Sequence, residues 1–383
     1  MKILRISTVP HSLNLLLKGQ FRYLTSKGFE VKVASSYDGT IPELENRENV
    51  RHYSLPLNRT LNPLKDLKAL FKTIQLINKL KPDVVHTHSP KAGIIGMMAA
   101  YLCRVPLKIH TVAGLPVVEE RGLKKTILIG VERMTYFCSD YVLPNSINQQ
   151  NYILKKLYNH KKVQVIGKGS SNGIDLEYFD PRLYDEQDVI TVKESLGIPS
   201  ENLVLCFVGR LAHYKGINEL VEAFQELNKI YKSINLLLVG PFEELNPLDP
   251  KSLSIIENNK NIKSVGHQND IRPFLIASDV FIFPSYREGF PQSLMQAAAM
   301  QLPCIATDIN GCNEIIEHGE TGFLIEPKST SAIITATQTL IEDRKLRTKL
   351  AANSRKNMED NFEQINFWNK IISFYRSNGK NIH

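Results

Sequence analysis

The stretch that decides the fold is residues 279–316, DVFIFPSYREGFPQSLMQAAAMQLPCIATDINGCNEII. Its apolar run 280–283 predicts a buried strand, which Pro284 ends. Another proline, at a position suited to the start of a helix, favours a helix over 291–300. The run 304–307 predicts a second buried strand. Polar side chains follow both strands, at the edge where parallel sheets bind ligands. This stretch therefore predicts a parallel α/β sheet with a ligand site at its carboxyl edge.

The same alternation of short apolar runs and amphipathic segments extends outward over the whole chain. In the first half, strands are predicted at 3–8, 31–35, 52–56, 84–88, 107–112, 141–144 and 163–166, with helices at 14–27, 64–80, 91–102, 122–138 and 147–158. In the second half, strands are predicted at 204–208, 234–239, 262–265, 280–283, 304–307 and 322–325, with helices at 187–196, 217–231, 251–258, 270–277, 291–300, 312–317, 330–342 and 345–358. Such alternation is typical of parallel sheets covered on both faces.

The length of 383 residues favours two domains, because a single core stops growing below that size. A segment rich in Gly, Ser and Asn, GKGSSNGIDLEYFDP, runs from Gly167 to Pro181 and is typical of an interdomain crossing. We therefore expect an N-terminal domain over 1–168 and a C-terminal domain over 169–360.

The composition, 43% hydrophobic and 22% charged, is that of an ordinary soluble globular protein. Five widely spaced cysteines without zinc-site spacing predict reduced thiols in a cytosolic compartment. The chain shows neither the apolar core of a signal peptide nor an apolar run of about 18 residues, so we expect no transmembrane helix.

Charge is distributed unevenly along the chain. Through Asp175 there are 26 basic and 12 acidic residues, a net charge of +14, and the remainder carries −6. A basic half favours an anionic partner, either a membrane face or a lipid-linked pyrophosphate. No nucleic-acid-binding motif accompanies it, so we expect no nucleic-acid partner. Solvated lysines on exposed helices remain an alternative explanation.

Two cationic residues, Arg210 and Lys215, follow the predicted strand 204–208 within the segments Gly209-Arg210 and Lys215-Gly216. An arginine fork and a lysine ammonium suit phosphate oxygens, and flanking glycines let a backbone approach a ligand. The sequence therefore predicts a diphosphate site here, with an ordinary surface loop as the alternative.

These motifs resemble those of the retaining GT-B glycosyltransferases of family 4 (group 1), of the bacterial capsule and O-antigen type. That family's signature is a Glu, seven residues and a second Glu; here the positions are Glu288 and Gln296. The segment 172–175, Asn-Gly-Ile-Asp, also resembles the family's interdomain junction. The resemblance implies two Rossmann-like doubly wound domains facing each other across a cleft. It also implies that the closing segment 361–383 crosses back onto the N-terminal domain.

The resemblance implies a role for each matched residue. Glu288 would contact the donor sugar, while Arg210 and Lys215 would stabilise the departing diphosphate as the main catalytic contribution. Gln296 would be a weakened ribose contact, since a neutral amide replaces the carboxylate. Further donor-binding residues would be Gly209, His267, Arg287, Gly289, Phe290, Pro291 and Ser12.

The N-terminal half departs from the family at Ala113, which takes the place of its usual cleft histidine. His110 is a candidate catalytic residue, and whether it or His88 compensates is open, with a structural role as the alternative for both. On the acceptor side the candidates are His88, Lys91, Glu120 and Arg121, with Glu119 in the same loop.

The resemblance implies a retaining transferase that moves a sugar from a nucleotide-diphosphate sugar, expected to be UDP-N-acetylhexosamine or a UDP-hexose. The acceptor would be a polyprenyl-pyrophosphate-linked glycan in surface polysaccharide synthesis, at the inner face of the cytoplasmic membrane. No Asp-x-Asp pair occurs, so we expect neither a metal nor a cofactor. Two alternatives are a GT-B-fold UDP-sugar 2-epimerase and a non-catalytic sugar-nucleotide-binding protein.

Overall fold

The computed structural model describes residues 1–58, 60, 62–118 and 120–379. The chain divides into two compact units, Met1–Gly173 together with the segment from Gln364 onward, and Ile174–Glu363. The first unit carries 29 basic and 11 acidic residues in the sequence, a net charge of +18, and the second carries −10. Where the sequence predicted boundaries after 168 and 360, the chain divides after 173 and 363.

The N-terminal unit is built on a six-stranded sheet, and every strand pair in it is parallel. The spatial order is β3-β2-β1-β4-β5-β6, which is the Rossmann order. The strands are β1 Lys2–Ile6, β2 Glu30–Ser35, β3 Arg51–Ser54, β4 Val84–His88, β5 Leu107–Val112 and β6 Tyr141–Pro144.

The C-terminal unit repeats this topology with the order β12-β11-β10-β7-β8-β9, again with parallel pairs throughout. Its strands are β7 Leu203–Val208, β8 Ile234–Val239, β9 Ile262–Ser264, β10 Val280–Phe283, β11 Cys304–Thr307 and β12 Gly322–Ile325. The predicted α/β class, with two doubly wound parallel sheets, is confirmed.

Helices connect the strands of both sheets. In the first unit they are α1 Pro10–Leu15, α2 Gln20–Ser26, α3 Ile41–Glu48, α4 Pro63–Leu80, α5 Pro90–Leu102, α6 Gly122–Cys138 and α7 Ile147–Tyr152. In the second they are α8 Glu186–Ser195, α9 Ile217–Ile230, α10 Pro250–Asn258, α11 Arg272–Ile276, α12 Gln292–Ala299, α13 Cys312–Ile315, α14 Thr330–Glu342 and α15 Arg344–Asn361. The last helix is α16, Gln364–Asn378.

The larger differences from the sequence predictions lie in the N-terminal unit, where three predicted elements differ and one helix was not predicted. The predicted helix 14–27 is two helices separated at Gly19, and 147–158 continues beyond α7 as a π-helical turn, Ile153–Leu157. The predicted strand 163–166 is wrong, since only a single bridge joins Val163 to Val142. Helix α3 was not predicted, because its polar sequence carries little apolar periodicity.

Helix α4 leaves several of its apolar residues exposed. Its N-terminus follows ordinary capping rules, with Pro63 in the first turn and the Asn62 side chain accepting the Lys65 N–H at 3.1 Å. Of its apolar residues, Leu64, Leu67 and Phe71 are exposed, at 82%, 65% and 59%. The start of this helix therefore presents apolar side chains to solvent.

Helix α16 completes the core of the N-terminal unit. Its buried side chains are Phe367, Trp368, Ile371, Ile372 and Tyr375, and they pack with the apolar residues of β1, β2 and α2. The indole N–H of Trp368 donates to Asn172 at 2.7 Å, inside the same unit. The closing segment is thus part of the N-terminal unit, although it follows the C-terminal one in sequence.

Candidate functional site

The candidate site lies at the centre of the C-terminal sheet, where β7 and β10 are neighbours. From this pair the chain proceeds outward in opposite directions, to β8 and β9 on one side and to β11 and β12 on the other. The loops after two such strands diverge, and in open α/β sheets ligands bind in the crevice between them. The loops concerned are 209–216 and 284–291, which are the two segments that the sequence singled out.

A close backbone approach holds these two loops together. Gly216 has a φ of +71°, and a Cβ at this residue would lie 2.1 Å from the carbonyl oxygen of Pro284. Only glycine fits this combination of a left-handed conformation and a backbone neighbour. The Tyr214 carbonyl also accepts a hydrogen bond from the Tyr286 N–H at 2.9 Å, and this bond joins the two loops as well.

Lys215 and Glu288, both predicted catalytic, form an ion pair across the two loops. The lysine Nζ lies 2.5 Å from Glu288 Oε1, and each side chain is 14% exposed. The same carboxylate oxygen accepts a hydrogen bond from the Ser285 hydroxyl at 2.7 Å. The Lys215 ammonium also lies 5.3 Å from the centre of the Phe283 ring. The two diverging loops therefore carry an ion pair that is largely buried.

Three cations surround the ring of Tyr214, a residue that the sequence did not single out. The Arg287 guanidinium lies 4.8 Å from its centroid, and the Arg210 guanidinium and the Lys215 ammonium each lie 5.6 Å from it. The side chain of Arg210 is 56% exposed, donates to the Tyr214 hydroxyl and pairs with Glu243. The structure thus brings together three of the predicted site residues in one positive cluster, at a position suited to a ligand with two phosphates.

The backbone after Glu288 is also fixed. The Asn310 amide donates to the carbonyls of Glu288 and Gly289, at 3.2 Å each. Phe290 turns its ring away into the core, 5.7 Å from that of Phe362. Pro291 is the N-cap residue of helix α12, whereas the sequence predicted it as the first helical residue. The Phe290 ring is therefore not available to a ligand, and the donor contacts predicted for Gly289, Phe290 and Pro291 remain predictions.

The remaining donor-side residues of this unit lie further out. Gln296 is half-buried on α12, and no hydrogen bond joins its side chain to another residue in the described ranges. His267 is exposed in the loop after β9, the edge strand, and Gly209 follows β7 directly. Their predicted contacts with the ribose, the nucleobase and the diphosphate remain predictions.

The N-terminal unit has an equivalent position between β1 and β4, but among the described residues no ion pair joins the two loops there. The hydroxyls of Thr8 and Ser89 lie 2.7 Å apart and bridge the two loops. Ser89 has a φ of +73°, a strained conformation for a residue with a Cβ. Ser12, predicted to offer its backbone N–H to an anion, already donates that group to the Val9 carbonyl at 3.3 Å.

Three histidines of this unit, His86, His88 and His110, are buried. His110 is 2% exposed, pairs with the Thr87 hydroxyl at 2.8 Å through Nδ1, and packs directly on Gly93. Burial lowers the pKa of His110 to about 3. His86 bridges Tyr375 and the Thr111 hydroxyl, at 2.6 and 2.7 Å. The catalytic role expected of His110 would require a buried, neutral imidazole to reach a substrate, so its contacts here favour the structural alternative.

The predicted acceptor-side residues are dispersed over the first unit. Lys91 pairs with Asp66 of α4 at 2.6 Å, and Glu120 pairs with Lys124 at 2.5 Å. Arg121 is exposed at the N-terminus of α6, and His88 is buried at the end of β4. Glu119 lies outside the described residues. Among the described residues, no hydrogen bond or ion pair joins these side chains to one another, and their roles stay predictions.

Two further features bear on the class of site. In the described ranges, no three His, Cys, Asp or Glu side chains come close enough to hold a metal ion. No helix in these ranges is both long and apolar enough to cross a membrane.

Sequence comparison assigns each half to a glycosyltransferase family. Residues 188–357 match the model of the family "Glycosyl transferases group 1", and residues 5–162 match "Glycosyl transferase 4-like". The first match covers the loops that hold Arg210, Lys215, Glu288 and Gln296. The resemblance inferred from the sequence is thereby confirmed.

Relatives and solved structures extend the match to nearly the whole chain. The chain is 33% identical to the capsular polysaccharide biosynthesis glycosyltransferase CapM of Staphylococcus aureus, over 98% of this chain and 97% of that one. It is 30% identical to the Escherichia coli UDP-Gal:alpha-D-GlcNAc-diphosphoundecaprenol alpha-1,3-galactosyltransferase, over 93% and 91%. Anabaena Alr3699/HepE in complex with UDP has the same fold, with a TM-score of 0.82 at 20% identity over 98% and 100% of the two chains. From the family and relative matches, the chain belongs to the group 1 glycosyltransferases.

Proposed function

We propose that this protein is a retaining, metal-independent glycosyltransferase that moves a sugar from a UDP-sugar to a glycan on a polyprenyl-diphosphate carrier. The observation that carries the proposal is the Lys215–Glu288 pair beside the Arg210 and Arg287 cations, at the diverging loops of the C-terminal sheet. Beside this pair, Arg287 and Arg210, which itself pairs with Glu243, add positive charge for a diphosphate, and the Glu288 carboxylate offers acceptors for sugar hydroxyls.

The relatives support the donor and acceptor classes. The Escherichia coli relative is named for a UDP-Gal donor and a diphosphoundecaprenol-linked acceptor. A Campylobacter jejuni relative, 28% identical over 82% of this chain, is named for an N-acetylgalactosaminyl transfer to a diphospho-undecaprenol-linked sugar. Both names describe alpha-1,3 products. A polyprenyl-diphosphate acceptor is therefore the class that we infer here.

The Lys215–Glu288 pair suggests how the donor is bound. When a diphosphate enters, the ammonium exchanges its carboxylate partner for phosphate oxygens, and Glu288 becomes free to accept hydrogen bonds from sugar hydroxyls. Ser285 keeps one oxygen of the carboxylate in place during this exchange, at 2.7 Å. Without donor, the pair shields both charges, so that neither remains uncompensated in a half-buried position.

The same cations would stabilise the leaving group during transfer. In a retaining reaction on one face of the sugar, the bond from the anomeric carbon to the diphosphate oxygen breaks, and the acceptor oxygen bonds to that carbon on the same face. The acceptor proton passes to a phosphate oxygen of the leaving diphosphate. Arg210, Lys215 and Arg287 then take up the charge that develops on the diphosphate, which is the term that usually dominates such catalysis. No buried imidazole is needed.

The N-terminal unit supplies the membrane-facing surface in this proposal. The exposed apolar residues Leu64, Leu67 and Phe71 on α4 alternate with Lys65, Lys68 and Lys72. Helix α4 packs on α5, and α5 packs on α6, which exposes Leu123 and Phe137 among others. An apolar helix face with a lysine rim, on a unit of net charge +18, is suited to an anionic lipid surface. This surface would bring the enzyme to its lipid-linked acceptor.

The donor and reaction class are tested with purified protein, UDP-sugars and a synthetic polyprenyl-diphosphate-linked acceptor. We expect transfer with one UDP-sugar, unaffected by EDTA, and an α-linked product from an α-linked donor as determined by NMR. A β-linked product would overturn the retaining mechanism. Conversion of UDP-N-acetylglucosamine to an epimer without acceptor would instead favour the epimerase alternative.

Membrane contact is tested separately by sedimentation with vesicles that contain anionic lipid. Replacement of Leu64, Leu67 and Phe71 by Ser should release the protein from the vesicles, because the burial of apolar area is lost. The matched control is Leu245→Ser, since Leu245 is 94% exposed but lies in the acidic C-terminal unit. Equal binding of both variants would contradict the assignment of this surface.

A further inference from the structure

The N-terminal unit buries an arginine without an anionic partner. Arg5 on β1 is 1% exposed; its two terminal nitrogens donate to the Tyr375 hydroxyl at 2.5 Å and to the Gln20 amide oxygen at 2.6 Å. Both acceptors are neutral, and no carboxylate of the described residues pairs with this guanidinium. A buried charge is costly unless an opposite charge compensates it.

A second buried arginine in the same chain shows the usual solution. Arg355 in the C-terminal unit is 9% exposed and pairs with Glu359 at 3.0 Å and Asp180 at 3.9 Å. It also donates to the carbonyls of Phe179 and Ala299, at 2.6 Å each. Arg5 is more deeply buried than Arg355, yet among the described residues no carboxylate pairs with it.

A small cavity adjoins Arg5. Arg5, His88, Thr111 and Ser170 are among its lining residues, and its volume of about 20 Å³ is enough for one water-sized ligand. The Nε of Arg5 and the Nε2 of His88 are both buried, and neither has a hydrogen-bond partner among the described residues. Arg5 Nε always carries a hydrogen, and a neutral imidazole can place its single hydrogen on Nε2. The two residues that carry these unused donors, one of them with an uncompensated positive charge, therefore line the same cavity.

We propose that this cavity binds a small monatomic anion of the halide class, which accepts hydrogen bonds from Arg5 Nε and His88 Nε2 and neutralises the buried guanidinium. The volume is too small for a phosphate or a sulfate group, so the diphosphates of donor and acceptor are not its ligands. The anion would lie beneath the carboxyl ends of β4 and β5 and behind α16, whose Tyr375 holds the other side of Arg5. The proposal does not depend on the transferase reaction.

Diffraction with bromide tests the site directly. Crystals of the full-length protein are grown with sodium bromide in place of chloride, and anomalous data are collected at the bromine edge. We expect an anomalous peak in the cavity, within hydrogen-bond distance of Arg5 Nε. A cavity that contains a water without anomalous signal, or no density at all, would overturn the proposal.

Thermal unfolding tests the same site in solution. At constant ionic strength, exchange of sodium gluconate, whose anion cannot enter the cavity, for sodium bromide should raise Tm in a saturable way. A rise on the order of 3 °C is expected when bromide is about ten times its Kd. This saturable rise in Tm should be lost in Arg5→Gln and also in His88→Leu. The histidine variant provides the test if the arginine variant does not fold.

The matched control is Lys193→Gln. Lys193 is a buried cation of the C-terminal unit, and its ammonium donates to the carbonyls of Ser200 and Asn202 at 3.0 and 2.8 Å. This variant should lose stability but keep the full bromide response. A bromide response that is equal in the wild type, Arg5→Gln and His88→Leu would refute the site, because it would then be a general salt effect.

Discussion

The two units share one topology but use their central loops differently. In the C-terminal unit, the loops after β7 and β10 are joined by the Lys215–Glu288 ion pair, with further cations partly exposed around it. In the N-terminal unit, the equivalent loops after β1 and β4 are joined by two hydroxyls, and the nearby arginine and histidines are buried. The same fold thus places partly exposed charges at the central loops of one unit and buried polar groups near those of the other, so position in the fold alone does not decide which side chains a ligand could reach.

The largest effect that follows from this comparison is on turnover, and it belongs to the C-terminal loops. Lys215→Ala removes a cation that is proposed to stabilise the leaving diphosphate, so kcat should fall by about 10²–10³. Steady-state kinetics with a saturating UDP-sugar would measure this loss. Lys229→Ala, which removes an exposed lysine paired with Glu226 in the same unit, is the control and should leave kcat unchanged. If kcat fell less than about tenfold in Lys215→Ala, the charge at the C-terminal loops would not be what stabilises the leaving diphosphate.

The next effect is on stability, and it belongs to the N-terminal unit. His110 binds its proton only near pH 3 when folded, whereas an unfolded histidine binds it near pH 6.5. Between these values the unfolded chain holds more protons, so the free energy of unfolding falls as pH falls. From pH 7 to pH 5 this histidine alone should cost about 2 kcal/mol.

Chemical denaturation of the wild type and of His110→Gln at these two pH values measures that contribution. The variant should lose part of the acid sensitivity, while His267→Gln, which changes an exposed histidine of the other unit, should keep all of it. The sensitivity that remains in His110→Gln is expected from His86 and His88, since burial lowers the pKa of both. An unchanged pH dependence in His110→Gln would mean that this imidazole is not held neutral in the folded protein.

The comparison also explains where sequence reasoning succeeded. The apolar runs of the C-terminal unit match its strands within a residue at each end, because a fully buried parallel strand leaves a continuous apolar signal. The prediction of one continuous helix over 14–27 was wrong because of a tertiary contact. At Gly19, with a φ of +82°, a Cβ would lie 2.8 Å from the Trp368 ring of α16, which is distant in sequence. No local pattern encodes that neighbour.

The site was predictable to a similar extent. Arg210, Lys215 and Glu288 were found from motifs, since glycines and charges directly follow apolar strands. Tyr214 and Asn310 were missed, because a tyrosine or an asparagine in a loop has no distinctive spacing, and their roles depend on which loops meet. The burial of His110 likewise depends on the register that places it opposite Thr87. Pairing between strands, rather than sequence order, separates a structural histidine from a catalytic one.

A smaller effect is expected on donor affinity at the position where this chain departs from its family's signature. Gln296→Glu replaces a neutral acceptor with a charged one, and hydrogen bonds to a charged group are roughly twice as strong. We expect the KM for the UDP-sugar to fall about fivefold, corresponding to about 1 kcal/mol, with little change in kcat. Gln292→Glu, on the preceding turn of α12, controls for the added charge and should have no such effect. A raised KM in Gln296→Glu would argue that this side chain does not contact the ribose.

The smallest effect concerns Tyr214, and it separates the two contributions of this side chain. Tyr214→Phe keeps the ring beside the cations but removes the hydroxyl that accepts a hydrogen bond from Arg210, whose guanidinium remains paired with Glu243. Because this arginine is more than half exposed, the loss should be about 0.5 kcal/mol or less, a change of about twofold in the KM for donor. Tyr214→Leu also removes the ring from between Arg210, Lys215 and Arg287 and should weaken donor binding further, because cation–π contacts are worth about 0.5–1 kcal/mol at exposed sites. If isothermal titration with UDP gave the same affinity for both variants, the ring would not organise the cations, and the positive cluster of the C-terminal unit would depend on its carboxylate partners alone.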